Sequence, residues 1–269
     1  MTTVTRPLRL EGKRVLVTGA ASGIGNAIAD VAIQEGARVA LVDYDRAGAE
    51  DAADKLGREA AVPIGADISD VNQVATAVNA AVDALGGLDA LINVAGIQDR
   101  MEPVDTVTPE LWDRVFAVNV RGTAFMIQHV LRHLVPQKHG AIVNTTSTAS
   151  LLGGGGGAAY AASKGAIASL TRQIAWELAG TGVRINSIAP GATSTNLVGN
   201  SERVLGEGTS SARAKEVADR MVAEFETAVP LGRFAEPSEI ARAAVFLASD
   251  EASYLHGAML VADGGLSIH

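Results

Sequence analysis

The chain contains no cysteine. Disulfides, thiolate metal sites and thiol catalysis are therefore excluded. Aromatic residues make up only 4%, so the interior has to be built from Ala, Val, Ile and Leu. No run reaches the ~18 apolar residues that a membrane-spanning helix needs. Residues 1–10 lack the continuous apolar stretch of a signal peptide. Cations are the minority charge, with Lys+Arg 22 against Asp+Glu 30 and a net charge of −8. That balance argues against nucleic acid or an anionic membrane as the main partner. A cytoplasmic protein is the expectation.

What is present is apolar surface and glycine. Hydrophobic residues are 48% of 269 residues, and Gly numbers 29. This is ample for a packed core and excludes a disordered chain. Short β-branched runs at 13–18, 38–42, 61–65, 88–94, 141–145, 183–188 and 258–261 read as strands. Helical stretches follow at 23–35, 47–56, 69–85, 108–133, 160–179 and 237–248. Ser69 or Asp70 can cap the third helix, and Thr108-Pro109 opens the fourth. The alternation predicts an α/β fold: a Rossmann-type, doubly wound parallel sheet of about seven strands with helices on both faces. The strands lack polar alternation, as expected when both faces are covered. No linker or repeat divides the chain, so one domain over 1–269 is expected. Two stretches fall outside the pattern: five glycines at 153–157, and a polar segment from Thr193 to about Glu216.

The first glycine cluster, Thr18-Gly-Ala-Ala-Ser-Gly-Ile-Gly25, joins the first strand to the first helix. Glycines there allow a tight turn and close approach by a pyrophosphate at the positive helix end. A plain strand–helix turn is the simpler reading of the same residues. Asp43 closes the second strand, where a carboxylate can hold the adenosine ribose hydroxyls and repel a 2′-phosphate. This favours NAD over NADP, with Arg46 as a nearby counter-argument. Asp43 also suits the start of a turn. Tyr160 and Lys164 are spaced to share one helix face. An ammonium favours a phenolate, so the pair can act as a general acid/base. Ser147, at the end of the fifth strand, can hold a substrate oxygen beside Tyr160.

Taken together, Thr18–Gly25, Asn93-Val-Ala-Gly96, Asn119, Ser147, Tyr160 with Lys164, Pro230-Leu-Gly-Arg233 and Asp263-Gly-Gly265 resemble the short-chain dehydrogenase/reductase family. The resemblance runs from about Leu10 to Ser267 and points to the branch of about 250 residues. It implies that Gly19, Ser22, Gly23, Ile24 and Gly25 form the phosphate turn and that Asp43 binds the adenosine ribose. Asp67 and Ile68 would border the adenine. Asn93, Ala95 and Gly96 would line the cofactor cleft. Pro190, Gly191 and Thr193 would pass the nicotinamide, with Thr195 near its amide or the phosphates. Tyr160 would be the acid/base and Ser147 would orient the substrate. Lys164 would lower the Tyr160 pKa and bind the nicotinamide ribose. Asn119 would help hold a water linking Lys164 to solvent. Val94 and Thr193 depart mildly from the family pattern. A homotetramer is implied, with a dimer as the alternative.

The implied activity is hydride transfer between NAD and a secondary alcohol or ketone. An NADP-preferring carbonyl or 3-oxoacyl reductase is the alternative. A nucleotide-sugar epimerase needs a larger C-terminal domain, and a non-catalytic NAD-binding redox sensor would be expected to lose part of the Ser-Tyr-Lys set. The glycine run edges the pocket or serves as a flexible connection. Residues 193–226 would form a lid, whose Leu197, Val198, Val204 and Leu205 either touch an apolar substrate or pack the lid. Asp99, Arg100 and Glu102 are expected at the pocket rim. No basic cluster suits a multiply charged substrate, so a neutral alcohol or ketone is expected. His129, His133 and His139 have no carboxylate at ligand spacing and read as surface residues; no metal is expected. Trp112, Phe116 and Phe125 have core or interface spacing on one helix.

Overall fold

The computed structural model describes residues 7–206 and 210–268. Residues 1–6 of the N-terminal stretch and 207–209 of the expected lid lie outside the described residues. The strands are β1 (Arg14–Thr18), β2 (Arg38–Asp43), β3 (Ala61–Gly65), β4 (Ala90–Asn93), β5 (Gly140–Thr145), β6 (Val183–Pro190) and β7 (Met259–Ala262). They form one sheet in the order β3-β2-β1-β4-β5-β6-β7, and every pairing is parallel. Pro63 stands in the middle of the edge strand β3, opposite Leu41 of β2.

The helices are α1 (Gly23–Gln34), α2 (Arg46–Leu56), α3 (Val71–Leu85), α4 (Pro109–Phe116), α5 (Thr123–Gln137), α6 (Ala158–Glu177), α7 (Leu197–Leu205), α8 (Ala212–Ala228) and α9 (Pro237–Ala248). One core lies where α3, α5 and α6 meet the sheet; the other lies under α1, α2 and α9. In β1, Leu16 enters the first core and Val15 and Val17 enter the second. Successive side chains point to opposite faces, so a strand covered on both sides has to be apolar throughout. Each such fully buried side chain contributes about 1.5–3 kcal/mol.

Local chemistry accounts for the helix ends. Asp70 caps α3 by accepting from the Asn72 N–H, and Thr108 caps α4 with Pro109 in its first turn. The expected single helix over 108–133 is interrupted. A π-helical segment, Ala117–Gly122, separates α4 from α5. This wide turn carries Asn119, whose buried side chain bonds both the N–H and the carbonyl of Ile97. The helix then continues to Gln137, with Pro136 in its last turn. The polar segment after Thr193 also differs from expectation, since it contains α7 and α8. Ser211 caps α8 through the Ala214 N–H.

Candidate active site

Strand order reverses beside β1, which pairs with β2 on one side and β4 on the other. Ligand crevices form outside the carboxyl ends of strands at such a point. A cleft of ≈ 580 Å³ opens there, within the range of small-molecule sites. Thr18 ties the two strand ends together: its Oγ1 accepts from the Val94 and Ala95 N–H groups at 3.1 and 3.2 Å.

The turn into α1 is built for backbone contact. Gly19 has φ +68°, and a Cβ on Gly25 would collide with the Gly19 carbonyl. Ser22 occupies the N-cap position of α1 but makes no side-chain bond to the helix. Its hydroxyl instead accepts from the Asn200 side chain of α7 at 2.9 Å. The leading N–H groups of α1 are thus left uncapped at the positive helix end, which suits an anionic group. Gly23, Ile24, Asp67, Ile68, Ala95, Gly96, Pro190 and Thr195 also line the cleft. Thr145 lines the cleft, and its hydroxyl is buried without a hydrogen-bond partner. These features fit a nucleotide cofactor.

Asp43 faces the cleft from the end of β2. Its carboxylate accepts from the Ala21 and Asp45 N–H groups, each at 2.9 Å. Burial pushes its carboxyl above the ordinary value, against the lowering effect of those bonds. Arg46 does not line the cleft; its guanidinium bonds Glu50 at 3.0 Å.

Ser147, Tyr160 and Lys164 converge at the inner end. Tyr160 and Lys164 are buried on α6, and Ser147 lines the cleft with them, its hydroxyl accepting from the Ala149 N–H at 3.1 Å. Lys164 Nζ lies 5.6 Å from the Tyr160 ring centroid and donates to the Thr145 carbonyl at 2.9 Å. Burial pushes Tyr160 up to about 12, opposed by the Ser147 hydroxyl and reinforced by the Asp99 carboxylate. Burial pushes Lys164 down to about 8. Burial thus works against the expected lowering of the Tyr160 pKa. The Lys164 ammonium meanwhile bonds a backbone carbonyl.

Several expected residues stand behind the cleft wall. Asn93 is buried and donates to Asn144 Oδ1 at 2.9 Å. Asn119 Nδ2 donates to the Ser163 hydroxyl at 3.0 Å, and a Cβ on Gly96 would sit 3.4 Å from Lys164 Nζ. Gly191 packs on Asp263, and the Thr193 hydroxyl donates to the Gly191 carbonyl at 3.1 Å. Of the lid apolar residues, Leu197 and Val204 line the cleft, Leu205 packs on the core and Val198 is exposed. Asp99, Arg100 and Glu102 do not line the cleft as expected. Asp99 turns in toward α6, Arg100 pairs with Glu202, and Glu102 bonds Ser211. The glycine run is not uniform: Gly153 and Gly154 border open space, whereas a Cβ on Gly156 would collide with the Tyr160 ring.

Sequence reading missed Asn200 and Arg203, which line the cleft from α7. Together with Asn196 they recur at helical spacing on one face, a signal that would have revealed α7. Arg203 pairs with Asp45 at 3.6 Å. No group of three His, Cys, Asp or Glu side chains that could hold a metal occurs among the described residues.

A family model described as enoyl-(acyl carrier protein) reductase matches residues 19–267. The chain is 40% identical to 2-(S)-hydroxypropyl-CoM dehydrogenase 3 of Xanthobacter autotrophicus, covering 96% of this chain and 98% of that one. It is 39% identical to D-threitol dehydrogenase of Mycolicibacterium smegmatis, over 97% and 95% of the two chains. The crystal structure of a 3-ketoacyl-(acyl-carrier-protein) reductase from Brucella melitensis, complexed with NADH, superposes with a TM-score of 0.82. It is 35% identical, with 96% of this chain and 99% of that chain covered. With the parallel sheet, the uncapped α1 turn and the buried Ser-Tyr-Lys cluster, these likenesses make the chain a member of the short-chain dehydrogenase/reductase family, oxidoreductases that act on CH–OH groups with a nicotinamide cofactor.

Proposed function

We propose that the chain is an NAD-linked dehydrogenase of neutral secondary alcohols, or equally a reductase of the matching ketones, with Ser147, Tyr160 and Lys164 as its acid/base set. The observation that carries this reading is the convergence of Ser147, Tyr160 and Lys164 on one cleft, with Lys164 Nζ 5.6 Å from the Tyr160 ring centroid. The nicotinamide supplies hydride transfer to or from the substrate carbon. Ser147 holds the substrate oxygen. In reduction the protonated Tyr160 phenol donates to that oxygen. In oxidation Tyr160 acts as the phenolate, stabilised by the Lys164 ammonium, and takes the hydroxyl proton to become the phenol. Asn119 steadies this set from behind through Ser163.

NAD is favoured because Asp43 and Asp45 both line the adenosine end, where a 2′-phosphate would meet two carboxylates. Lys55 and Arg203 also line the cleft and support the second reading, an NADP-preferring reductase. Ile97, Leu197 and Val204 give the cleft apolar lining beside Tyr160 and Lys164, which suits a neutral substrate. The segment over α7 and α8 is read as the lid. No helix of the described residues is long and apolar enough to cross a membrane, in keeping with a cytoplasmic enzyme. The resemblance favours a homotetramer, supported by Trp176 standing exposed on α6.

The deciding experiment is NADH formation or loss across a panel of secondary alcohols and ketones, run in parallel with NADP and with Tyr160→Phe. Turnover with NAD that Tyr160→Phe abolishes while still binding NAD supports the reading. Near-normal turnover in that variant overturns the assignment of Tyr160. Tight NAD binding with no turnover across the panel favours the redox-sensor reading.

A further inference from the structure

The catalytic helix α6 begins without a cap of its own. Its N-cap residue is Gly157, which has no side chain to offer the first turn. A helix start normally takes a side-chain oxygen onto the N–H of its second or third residue. Here that oxygen comes from elsewhere in the chain. Asp99, fully buried in the loop after β4, accepts from the Tyr160 N–H through Oδ2 at 2.8 Å and from the Gly157 N–H through Oδ1 at 3.0 Å. The Glu102 carbonyl takes the Ala158 N–H at 2.9 Å. The fit requires glycine, because a Cβ on Gly157 would collide with the Asp99 carboxylate.

The loop is bent to deliver this contact. Arg100 and Met101 are consecutive left-handed residues, with φ of 57° and 59°, a conformation that side chains other than glycine rarely adopt. The bend turns Asp99 inward while Arg100 reaches Glu202 and the Gly206 carbonyl. Glu102 accepts from the Ser211 N–H and hydroxyl, each at 2.7 Å. The strained turn is thus held by contacts at both ends, as persistent strain requires.

We propose that Asp99 is a positioning residue for the reaction: its buried carboxylate caps α6 in place of a side chain on Gly157 and so fixes Tyr160, the third residue of that helix, in reacting position. The proposal rests on the reading of Tyr160 as the acid/base. Asp99 acts through the helix and does not line the cleft. It also has an electrostatic effect. The positive end of α6 favours a phenolate, and the Asp99 carboxylate opposes it, raising the Tyr160 pKa. The other charged or titratable groups around it are Arg100 and Glu102 on its own loop, Tyr160 and Lys164 on α6, and Glu202 on α7.

The test uses full-length enzyme with NAD and the best alcohol from the panel. Asp99→Ala is compared with Asp99→Ala/Gly157→Ser, which returns a neutral cap on the helix itself, and with Asp99→Ala/Gly157→Asp, which returns a charged one. Truncating Asp99 vacates the space that the new side chain needs. Asp99→Ala is expected to lower kcat about 10- to 100-fold, the scale of a small misplacement of a reacting group, with the KM for NAD unchanged. Gly157→Ser restores kcat, with the acid limb of the kcat/KM profile moved to lower pH. Gly157→Asp restores both the rate and the limb. Asp99→Asn, which keeps one acceptor and loses the charge, moves the limb the same way if the alanine variant fails to fold. Hydrogen exchange of residues 157–161, read without substrate, speeds up in Asp99→Ala and recovers in the double variants. Wild-type kcat in Asp99→Ala overturns the proposal, as does equal loss in kcat and in cofactor affinity, or no recovery in either double variant. Tyr160→Phe separates the two claims. If it stays active, the acid/base reading fails and takes this proposal with it; if it is dead while Asp99→Ala is normal, only this proposal fails.

Discussion

Asn200 on α7 and Ser22 in the turn before α1 are joined by a side-chain hydrogen bond of 2.9 Å, across 178 positions of sequence. The helix over the cleft is thereby tied to the turn proposed to hold the cofactor phosphates. A neutral hydrogen bond of this kind contributes about 0.5–1.5 kcal/mol. Asn200→Ala is expected to weaken NADH binding about 2- to 10-fold, measured by fluorescence titration. Unchanged affinity would show that the tie plays no part in the bound state.

Asp43→Ala should reduce kcat/KM with NAD by about 10- to 100-fold, since bonds to a charged group are worth about 1.5–3 kcal/mol. Activity with NADP should rise as the repulsion is relieved. The check is the ratio of kcat/KM for the two cofactors. An unaltered ratio would place the determinant elsewhere, with Arg203 and Lys55 the next candidates.

Stability should depend on pH in two opposite stages. Burial lowers Lys164 from 10.5 to about 8. Between those values the unfolded chain holds the extra proton, so stability rises as pH increases through the window. Burial raises Tyr160 from 10.0 to about 12. There the folded chain holds the extra proton, so stability falls as pH rises from about 10. Urea midpoints of the wild type at about pH 8 and about pH 10 should differ more than those of Lys164→Met. Equal pH slopes in the two proteins would refute the assignment to Lys164.

The glycine run offers an internal control. Gly156→Ala drives a Cβ into the Tyr160 ring, and such overpacking costs about 1–3 kcal/mol. Both Tm and kcat should drop. Gly153→Ala meets no atom within 4 Å and should stay within about 0.5 kcal/mol of wild type. A scan of Tm and turnover over the two variants decides whether the run is spacer or packing surface.

The alternating apolar runs made the sheet and most helices legible, because a strand covered on both faces leaves a continuous signature. The placement of Asp43, Ser147, Tyr160 and Lys164 along one cleft was also legible, since they sit at strand ends or at helical spacing. The π-helical turn at Asn119 was not, because one extra residue leaves no mark in an apolar pattern. Nor was the cap on α6. Asp99 and Tyr160 are 61 positions apart, and a glycine at a helix start gives no hint of which side chain will replace it. The upward push on the Tyr160 pKa comes from burial, which sequence spacing does not convey.

Pro63 in β3 bears on how the sheet meets other molecules. An edge strand is a template for intermolecular pairing, and a proline on it removes a donor that an incoming strand would need. That margin is therefore defended against aggregation. The opposite margin, β7, is only four residues long, contains no proline and leaves Val261 37% exposed. An incoming strand would therefore meet a missing donor at one margin of the sheet and no such break at the other.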